Sequence, residues 1–206
     1  MIEIKNKNIL ILGSGKSGIS ALRLILKYNP KKVILSDIKT RNKLSKEVLD
    51  MEKKGVILET GGHKESSLIE SDVIIVSPGV KIEKKWKDSI EKYNKKLIGE
   101  LELAYQFSNS KIIAITGTNG KTTTTTLAYE VLKEQLGTKV GLAGNIGIPF
   151  CDLVMENRDY TYVILEVSSF QLETIDTFKP FIAVILNITD DHLDRYSSLQ
   201  EYAEAK

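Results

Sequence analysis

The segment Gly117-Thr118-Asn119-Gly120-Lys121-Thr122-Thr123 sets glycines, a lysine and neighbouring hydroxyls side by side. Backbone N–H donors, a point positive charge and an oxygen for Mg²⁺ are what a triphosphate needs. The apolar run Ile112 to Thr116 ahead of it reads as a strand, and Leu127, Val131 and Leu132 behind it read as a helix, the context in which such a loop binds phosphate. The strict G-x-x-x-x-G-K-[ST] form is not met, because Ile115 stands at its first glycine position. The segment is a shorter G-x-x-G-K-T loop.

A second glycine loop, Gly13-Ser14-Gly15-Lys16-Ser17-Gly18, follows the apolar run Asn8 to Leu12 and precedes a helix beginning near Ile19. In this G-x-G-x-x-G arrangement glycines let the backbone approach a diphosphate, which then faces the helix amino terminus. Asp37 ends the next strand, where a ribose-binding carboxylate belongs. By itself the pattern leaves a nicotinamide or flavin site, a nucleotide-sugar site and a plain tight turn open. Gly15-Lys16-Ser17 also mimics the end of a Walker A loop, but Leu10 occupies the position of its first glycine. Ser77-Pro78-Gly79-Val80 follows a later strand and is either a simple turn or part of the same edge.

Of the remaining chemistry-bearing residues, Glu166 follows the apolar run Val163-Ile164-Leu165, and His192 lies within Asp-Asp-His-Leu-Asp. The other histidine, His63, has no such context and reads as a surface residue. Cys151 is the sole cysteine, which excludes an intrachain disulfide and a cysteine-based metal cage, and it reads as a small buried apolar group.

The elements that must hold these loops alternate. Short β-branched runs at Asn8 to Leu12, Lys32 to Ser36, Val56 to Glu59, Val73 to Ser77 and Lys96 to Ile98 predict buried parallel strands. Helical segments are expected near Ser17 to Tyr28, Lys43 to Lys54, Glu83 to Tyr93 and Leu101 to Phe107, and the lysine-rich face of 81–96 reads as solvated. A second series predicts strands at Ile112 to Thr116, near Val140, at Tyr162 to Val167 and at Ile182 to Ile188, with helices from Lys121 to about Leu136 and from about Ser198. The polar stretch Ser108-Asn109-Ser110 is the expected boundary. The fold class is therefore α/β, with a Rossmann-like parallel-sheet domain over 1–108 and part of a P-loop-type ATPase domain over 109–206.

A chain of 206 residues with 42% hydrophobic and 27% charged residues has a globular balance. Its 29 Lys plus Arg against 27 Asp plus Glu leave a net charge of +2, without the basic field that grips nucleic acid. No apolar run approaches a membrane span and the amino terminus lacks a secretory apolar region, so a cytoplasmic protein without membrane or nucleic-acid partners is expected.

The shorter ATP loop, Gly117 to Thr123, resembles that of the Mur ligases and the related folylpolyglutamate synthetases. Gly144-Asn145-Ile146-Gly147, then Leu165-Glu166-Val167-Ser168-Ser169-Phe170-Gln171-Leu172-Glu173, then Asn187-Ile188-Thr189-Asp190-Asp191-His192-Leu193-Asp194-Arg195-Tyr196 resemble further Mur ligase segments in the same order. Ser-Ser-Phe-Gln-Leu-Glu with Asp-His-Leu-Asp-Arg-Tyr is most similar to the D-glutamate-adding branch of that family. The resemblance covers essentially the whole chain.

It implies an ATP-dependent ligase that activates the L-alanine carboxylate of UDP-N-acetylmuramoyl-L-alanine as an acyl phosphate, which the D-glutamate amine then attacks, in peptidoglycan precursor synthesis. ATP and Mg²⁺ are the implied cofactors. Gly117, Thr118, Asn119, Gly120, Lys121, Thr122 and Thr123 would hold ATP, with Lys121 on the β- and γ-phosphates. Thr122 and Glu166 would ligate a first Mg²⁺ and a neutral His192 a second. Lys206 aligns with a lysine that the family carbamylates, which turns a cation into an anion able to reach towards Mg²⁺. Ser17, Asp37, Ile38, Lys39 and Gly79 would bind the uridine diphosphate, and Asn145 and Ser168 the rest of the substrate. Where this chain has Ile38 and Lys39, the family often has Thr and Arg, so the bidentate fork of Arg is lost. The resemblance also leads us to expect a monomer, with the rest of the central domain and a closing amino-acid-binding domain absent from this chain, and no turnover by the chain alone. The rival readings are a nicotinamide-dependent oxidoreductase, on the strength of Gly13 to Gly18 and Asp37, and a non-catalytic nucleotide-binding module.

Overall fold

The computed structural model describes residues 2–191 and 195–206, so the role expected of His192 falls outside the described residues. The chain divides into two compact units, Met1–Leu103 and Ala104–Lys206.

In the first unit the order is β1 (Asn8–Leu12), α1 (Lys16–Leu26), β2 (Lys32–Asp37), α2 (Lys46–Asp50), β3 (Ile57–Thr60), α3 (Glu65–Glu70), β4 (Val73–Val76), α4 (Lys84–Lys92) and β5 (Lys96–Gly99), with α5 (Glu100–Gln106) following. The strands form one parallel sheet in the order β3-β2-β1-β4-β5. Leu10, Leu12, Ile74 and Val76 join Leu68, Trp86 and Ile90 in a core cluster. Ile9 and Ile11, which alternate with them, are just as deeply buried. Successive strand residues face opposite ways, so both faces of the sheet are covered, and that is why these strands read as unbroken apolar runs. Each such Leu or Ile contributes on the order of 1.5–3 kcal/mol by leaving water.

The helix expected over 43–54 is broken into three pieces. Arg41–Lys43 and Met51–Lys54 are 3₁₀ turns on either side of α2. Ser45 accepts a hydrogen bond from Val48 N at 3.3 Å and so starts α2 late, and Gly55, at φ 82°, ends the second turn. α3, six residues long, is too short to show a helical period in the sequence.

The second unit runs β6 (Lys111–Thr116), α6 (Lys121–Leu136), β7 (Val140–Gly144), α7 (Phe150–Met155), β8 (Tyr162–Glu166), α8 (Ser169–Leu172), β9 (Ile182–Ile185) and α9 (Leu199–Glu204). Its parallel sheet has the order β7-β8-β6-β9. Ile113, Ile115, Val140 and Ile164 form its core cluster, and Cys151 is fully buried. The strand expected to reach Ile188 stops at Ile185, because after Leu186 N bonds Thr116 O the chain turns to the loop beyond β6.

In each sheet the chain order reverses about one strand. β1 lies between β2 and β4, and β6 lies between β8 and β9. Ligands of open parallel sheets bind at the carboxyl ends of such strands, and both glycine loops leave from there. Among the described residues no helix is long and apolar enough to cross a membrane.

Candidate functional site

In the second unit the site is built on the turn between β6 and α6. Gly117 has φ 149° and Gly120, the N-cap of α6, has φ 82°, a region that residues with a Cβ rarely adopt. A Cβ on Gly117 would lie 3.1 Å from Leu186 Cβ and 3.3 Å from the backbone of Asn187. The loop is clamped from the segment after β9. Thr118 N donates to Asn187 O at 3.0 Å, and Asn119 N donates to Asn187 Oδ1 at 2.9 Å while Asn187 Nδ2 donates to Asn119 O at 3.0 Å. The Thr118 hydroxyl donates to Thr189 O at 3.2 Å and accepts from Thr189 N at 3.0 Å. Tyr202, buried on α9, adds a third contact to it at 3.2 Å. Thr122 and Thr123 are exposed in the first turn of α6, and Lys121 Nζ donates to Thr118 O at 2.7 Å.

Glu166, the last residue of β8, is 1% exposed. Its Oε2 accepts from Thr122 Oγ1 at 2.7 Å and its Oε1 from Asn145 Nδ2 at 2.7 Å. The strand register brings these groups together, because Glu166 pairs with Ile115 on one side and Gly144 on the other. Asn145 N also donates to Glu166 O at 2.8 Å. A Cβ on Gly144 (φ 107°) would stand 2.3 Å from Glu166 O. Only glycine fits there.

Lys206 reaches the same loop. Its Nζ donates to Gly117 O at 3.0 Å and to Thr116 Oγ1 at 3.2 Å. Burial, then the nearby Lys121, pull its amine down to about 8, with Asp191 opposing. Two of the sequence segments converge as well: Glu173 accepts from Arg195 Nη2 at 2.6 Å and from Tyr196 OH at 2.5 Å, and Phe170 stacks on Tyr196 at 6.0 Å. Tyr196 in turn lies 5.3 Å from Tyr202, which touches Thr118. Ser168 caps α8, accepting from Gln171 N at 3.3 Å in a capping box.

The pair formed by Thr122 Oγ1 and Glu166 Oε2 suits a hard divalent cation, for which oxygen ligands are preferred. Among the described residues no group of three or more His, Cys, Asp or Glu is placed to hold a metal.

In the first unit Asp37 ends β2 and is 7% exposed. Its Oδ2 accepts from Ser14 N at 2.7 Å and from Ser14 Oγ at 2.5 Å, and its Oδ1 accepts from Lys39 N at 2.8 Å. Burial raises its carboxyl, but the hydrogen bonds from Ser14 and Lys39 outweigh that and hold it below the usual range. The carboxylate thus orders the glycine loop. A Cβ on Gly18 would stand 1.9 Å from Gly13 O, whereas one on Gly15 would meet nothing within 4 Å. The third glycine is needed for helix–strand packing, and the second faces open space where a diphosphate can approach. Ser77 Oγ donates to Gly13 O at 3.1 Å, joining the turn after β4 to the loop. Ser17 lies in the first turn of α1, while Ile38, Lys39 and Gly79 are exposed around this edge.

One residue differs from expectation. His63 is not a surface residue: it is half-buried, bonded to Ser36 and edge-on to Trp86. The parts played by Glu59, Asn187, Thr189 and Tyr202 are not legible in the sequence. Asn187 and Thr189 stood within a recognised segment, but nothing local marked them as loop clamps.

Comparison with known proteins follows the same division. Residues 7–99 match the family description "Mur ligase MurD-like, N-terminal domain" and residues 115–206 match "Mur ligase middle domain". A relative from Acidobacterium capsulatum, named UDP-N-acetylmuramoylalanine--D-glutamate ligase, is 45% identical over 205 residues, covering 100% of this chain and 44% of its own length. One of the same name from Koribacter versatilis is 43% identical over 205 residues, covering 100% of this chain and 45% of its own. The chain thus spans less than half the length of these curated relatives. Among solved structures, UDP-N-acetylmuramate:L-alanyl-gamma-D-glutamyl-meso-diaminopimelate ligase from Neisseria meningitides superposes with a TM-score of 0.57 at 21% identity, over 97% of this chain and 66% of that one, a likeness of fold. With both halves of the chain matched to successive domains of one family, and relatives above 40% identity along its whole length, the chain belongs to the Mur ligase family.

Proposed function

We propose that this chain is the nucleotide-binding front part of an ATP-dependent ligase that joins D-glutamate to UDP-N-acetylmuramoyl-L-alanine in peptidoglycan precursor synthesis. The observation that carries the reading is the Thr122–Glu166 pair at 2.7 Å beside a glycine turn that opens α6. The names of the relatives supply the substrate.

A carboxylate is a poor electrophile, and phosphorylation by ATP gives it a leaving group that the incoming amine displaces as phosphate. The loop N–H groups and the α6 amino terminus face the triphosphate. Lys121, whose Nζ donates to Thr118 O in this structure, would hold the β- and γ-phosphates. Thr122, Glu166 and His192 would hold Mg²⁺, which when bound would supply positive charge where carboxylate and triphosphate meet. Glu166 is positioned for this by Asn145, whose exposed side also faces the muramoyl part of the substrate, together with Ser168. Lys206 lies against Gly117 O, and its depressed amine is ready for the carbamylation that makes it an anion. In the front unit Ser17, Asp37, Ile38, Lys39 and Gly79 receive the uridine diphosphate, over a domain we extend to residue 108. Substrates of this kind place the reaction in the cytoplasm, and the protein acts as a monomer.

Calorimetric titration tests the reading. UDP-N-acetylmuramoyl-L-alanine binds the wild-type chain and not a D37A variant, and ATP binds in a Mg²⁺-dependent manner. Binding of NADH in place of the UDP-linked substrate would refute it.

A further inference from the structure

Glu59, on β3, is a carboxylate 6% exposed that the proposed chemistry does not use. Its Oε1 accepts from Ser36 Oγ at 2.7 Å and from Lys64 N at 2.8 Å, and its Oε2 accepts from Ser67 Oγ at 2.6 Å. Ser36 Oγ also lies 2.7 Å from His63 Nδ1. A hydroxyl has one proton, and an ionised carboxylate can only accept. Glu59 Oε1 at 2.7 Å is a much closer acceptor than Gly62 O at 3.5 Å, so the Ser36 proton goes to Glu59 and His63 donates through Nδ1–H, which leaves Nε2 as the acceptor of the neutral ring.

This relay sits behind the proposed uridine diphosphate site. Gly62 N donates to Asp37 O at 3.2 Å and Gly61 N to Lys39 O at 2.9 Å, so the loop carrying His63 grips the backbone on either side of Ile38. Ser36 O accepts from Gly13 N at 2.8 Å. Ser36 thus lies between the glycine loop and the His63 loop. The imidazole is edge-on to Trp86 at 5.8 Å and lines a cleft of about 250 Å³ with Glu65, Lys85, Trp86 and Ser89. Burial pushes its pKa down, opposed by Glu59, Asp37 and Glu83.

We propose that His63 is a positioning residue of the front site: its Nδ1–H bond to Ser36, backed by Glu59, locks the 61–64 loop onto the end of β2 and so holds Asp37, Ile38 and Lys39 ready for a uridine diphosphate group. The inference rests on reading the front unit as a nucleotide-sugar site.

Two measurements on the 206-residue chain test it. Long-range ¹H–¹⁵N spectra of the labelled imidazole report the tautomer without any ligand. Nδ1–H is expected, and an Nε2–H ring at neutral pH overturns the relay. Titration with UDP then compares wild type, H63A, S36A and H63N, with unfolding midpoints measured alongside. Loss of the bond weakens UDP binding about tenfold in H63A and S36A. H63N keeps a donor near the Nδ1 position and restores affinity to within about threefold of wild type. Wild-type UDP affinity in H63A, or equal losses in H63A and H63N, overturns the positioning role. If H63A does not fold, H63Q, whose amide reaches the Nε2 side, takes its place: binding weaker than that of H63N supports the role and equal binding overturns it. A wild-type chain that fails to bind UDP instead sinks the reading of the front unit, an outcome distinct from a wild type that binds and variants that bind as well. Trp86 is the sole tryptophan, so its emission reports the ring directly. It drops as His63 protonates in acid and stays flat in H63N; a wild type as flat as H63N would contradict the ring contact.

Discussion

Thr122 Oγ1 donates to Glu166 Oε2 across 2.7 Å, tying the first turn of α6 to the last residue of β8. With Asn145 Nδ2 on the other oxygen, the carboxylate is aimed at the start of α6.

Glu166→Gln removes the negative charge and sets an amide N–H₂ against one of its present donors. Mg²⁺-dependent ATP affinity is expected to fall at least about tenfold, with a stability loss of ~1–3 kcal/mol from the unmatched buried donor. Titration with and without Mg²⁺ checks the first, and urea unfolding the second. An unchanged Mg²⁺ dependence would remove Glu166 from the site.

The glycines separate packing from binding. Gly18→Ala and Gly144→Ala drive a Cβ to 1.9 Å and 2.3 Å from backbone oxygens, and each is expected to destabilise by on the order of 2–4 kcal/mol. Gly15→Ala meets open space at φ −72°, so stability is expected to change by only about 0.5 kcal/mol while UDP binding weakens. Denaturation midpoints set beside UDP titrations decide between the two behaviours.

Lys206 titrates at about 8 in the fold against 10.5 when free. Between those values the unfolded chain binds more protons than the folded one, so this group makes stability rise with pH across that window. The difference in unfolding free energy between wild type and Lys206→Met is expected to shift in favour of wild type from pH 8 to 10.5. An amine-selective acylating reagent at pH 8 is expected to modify Lys206 ahead of the exposed lysines, as peptide mapping would reveal.

Asp37 has the opposite sign. Its carboxyl is held below 3.8, so it contributes stability above its unfolded value, and that contribution is lost as pH falls through the folded one. The stability advantage of wild type over Asp37→Asn is expected to be full at pH 6 and to shrink below about 3.8. A gap independent of pH in urea titrations would contradict the hydrogen bonds assigned to it.

Much of the fold was legible because its signals are local. Ile112 to Thr116, the glycine turn and the helix from Lys121 are contiguous, and buried parallel strands announce themselves as apolar runs. The division of the 43–54 segment was not legible, because Ser45 and Gly55 act through cap geometry that a helical period does not show. His63 was misread for a different reason: its partners Ser36, Glu59 and Trp86 come from other elements, and the sequence around it carries no motif.

By itself the sequence determined two strand–glycine–helix units and the residue types able to meet phosphate, since backbone freedom and apolar period are properties of neighbours along the chain. Only the tertiary structure decided which side chains complete those sites. Asn145 on Glu166, Asn187 and Tyr202 on the Gly117–Thr123 loop, Lys206 on Gly117 and His63 on Ser36 are all contacts set by the tertiary fold. Each brings together residues well apart in sequence, and no local spacing encodes such a meeting.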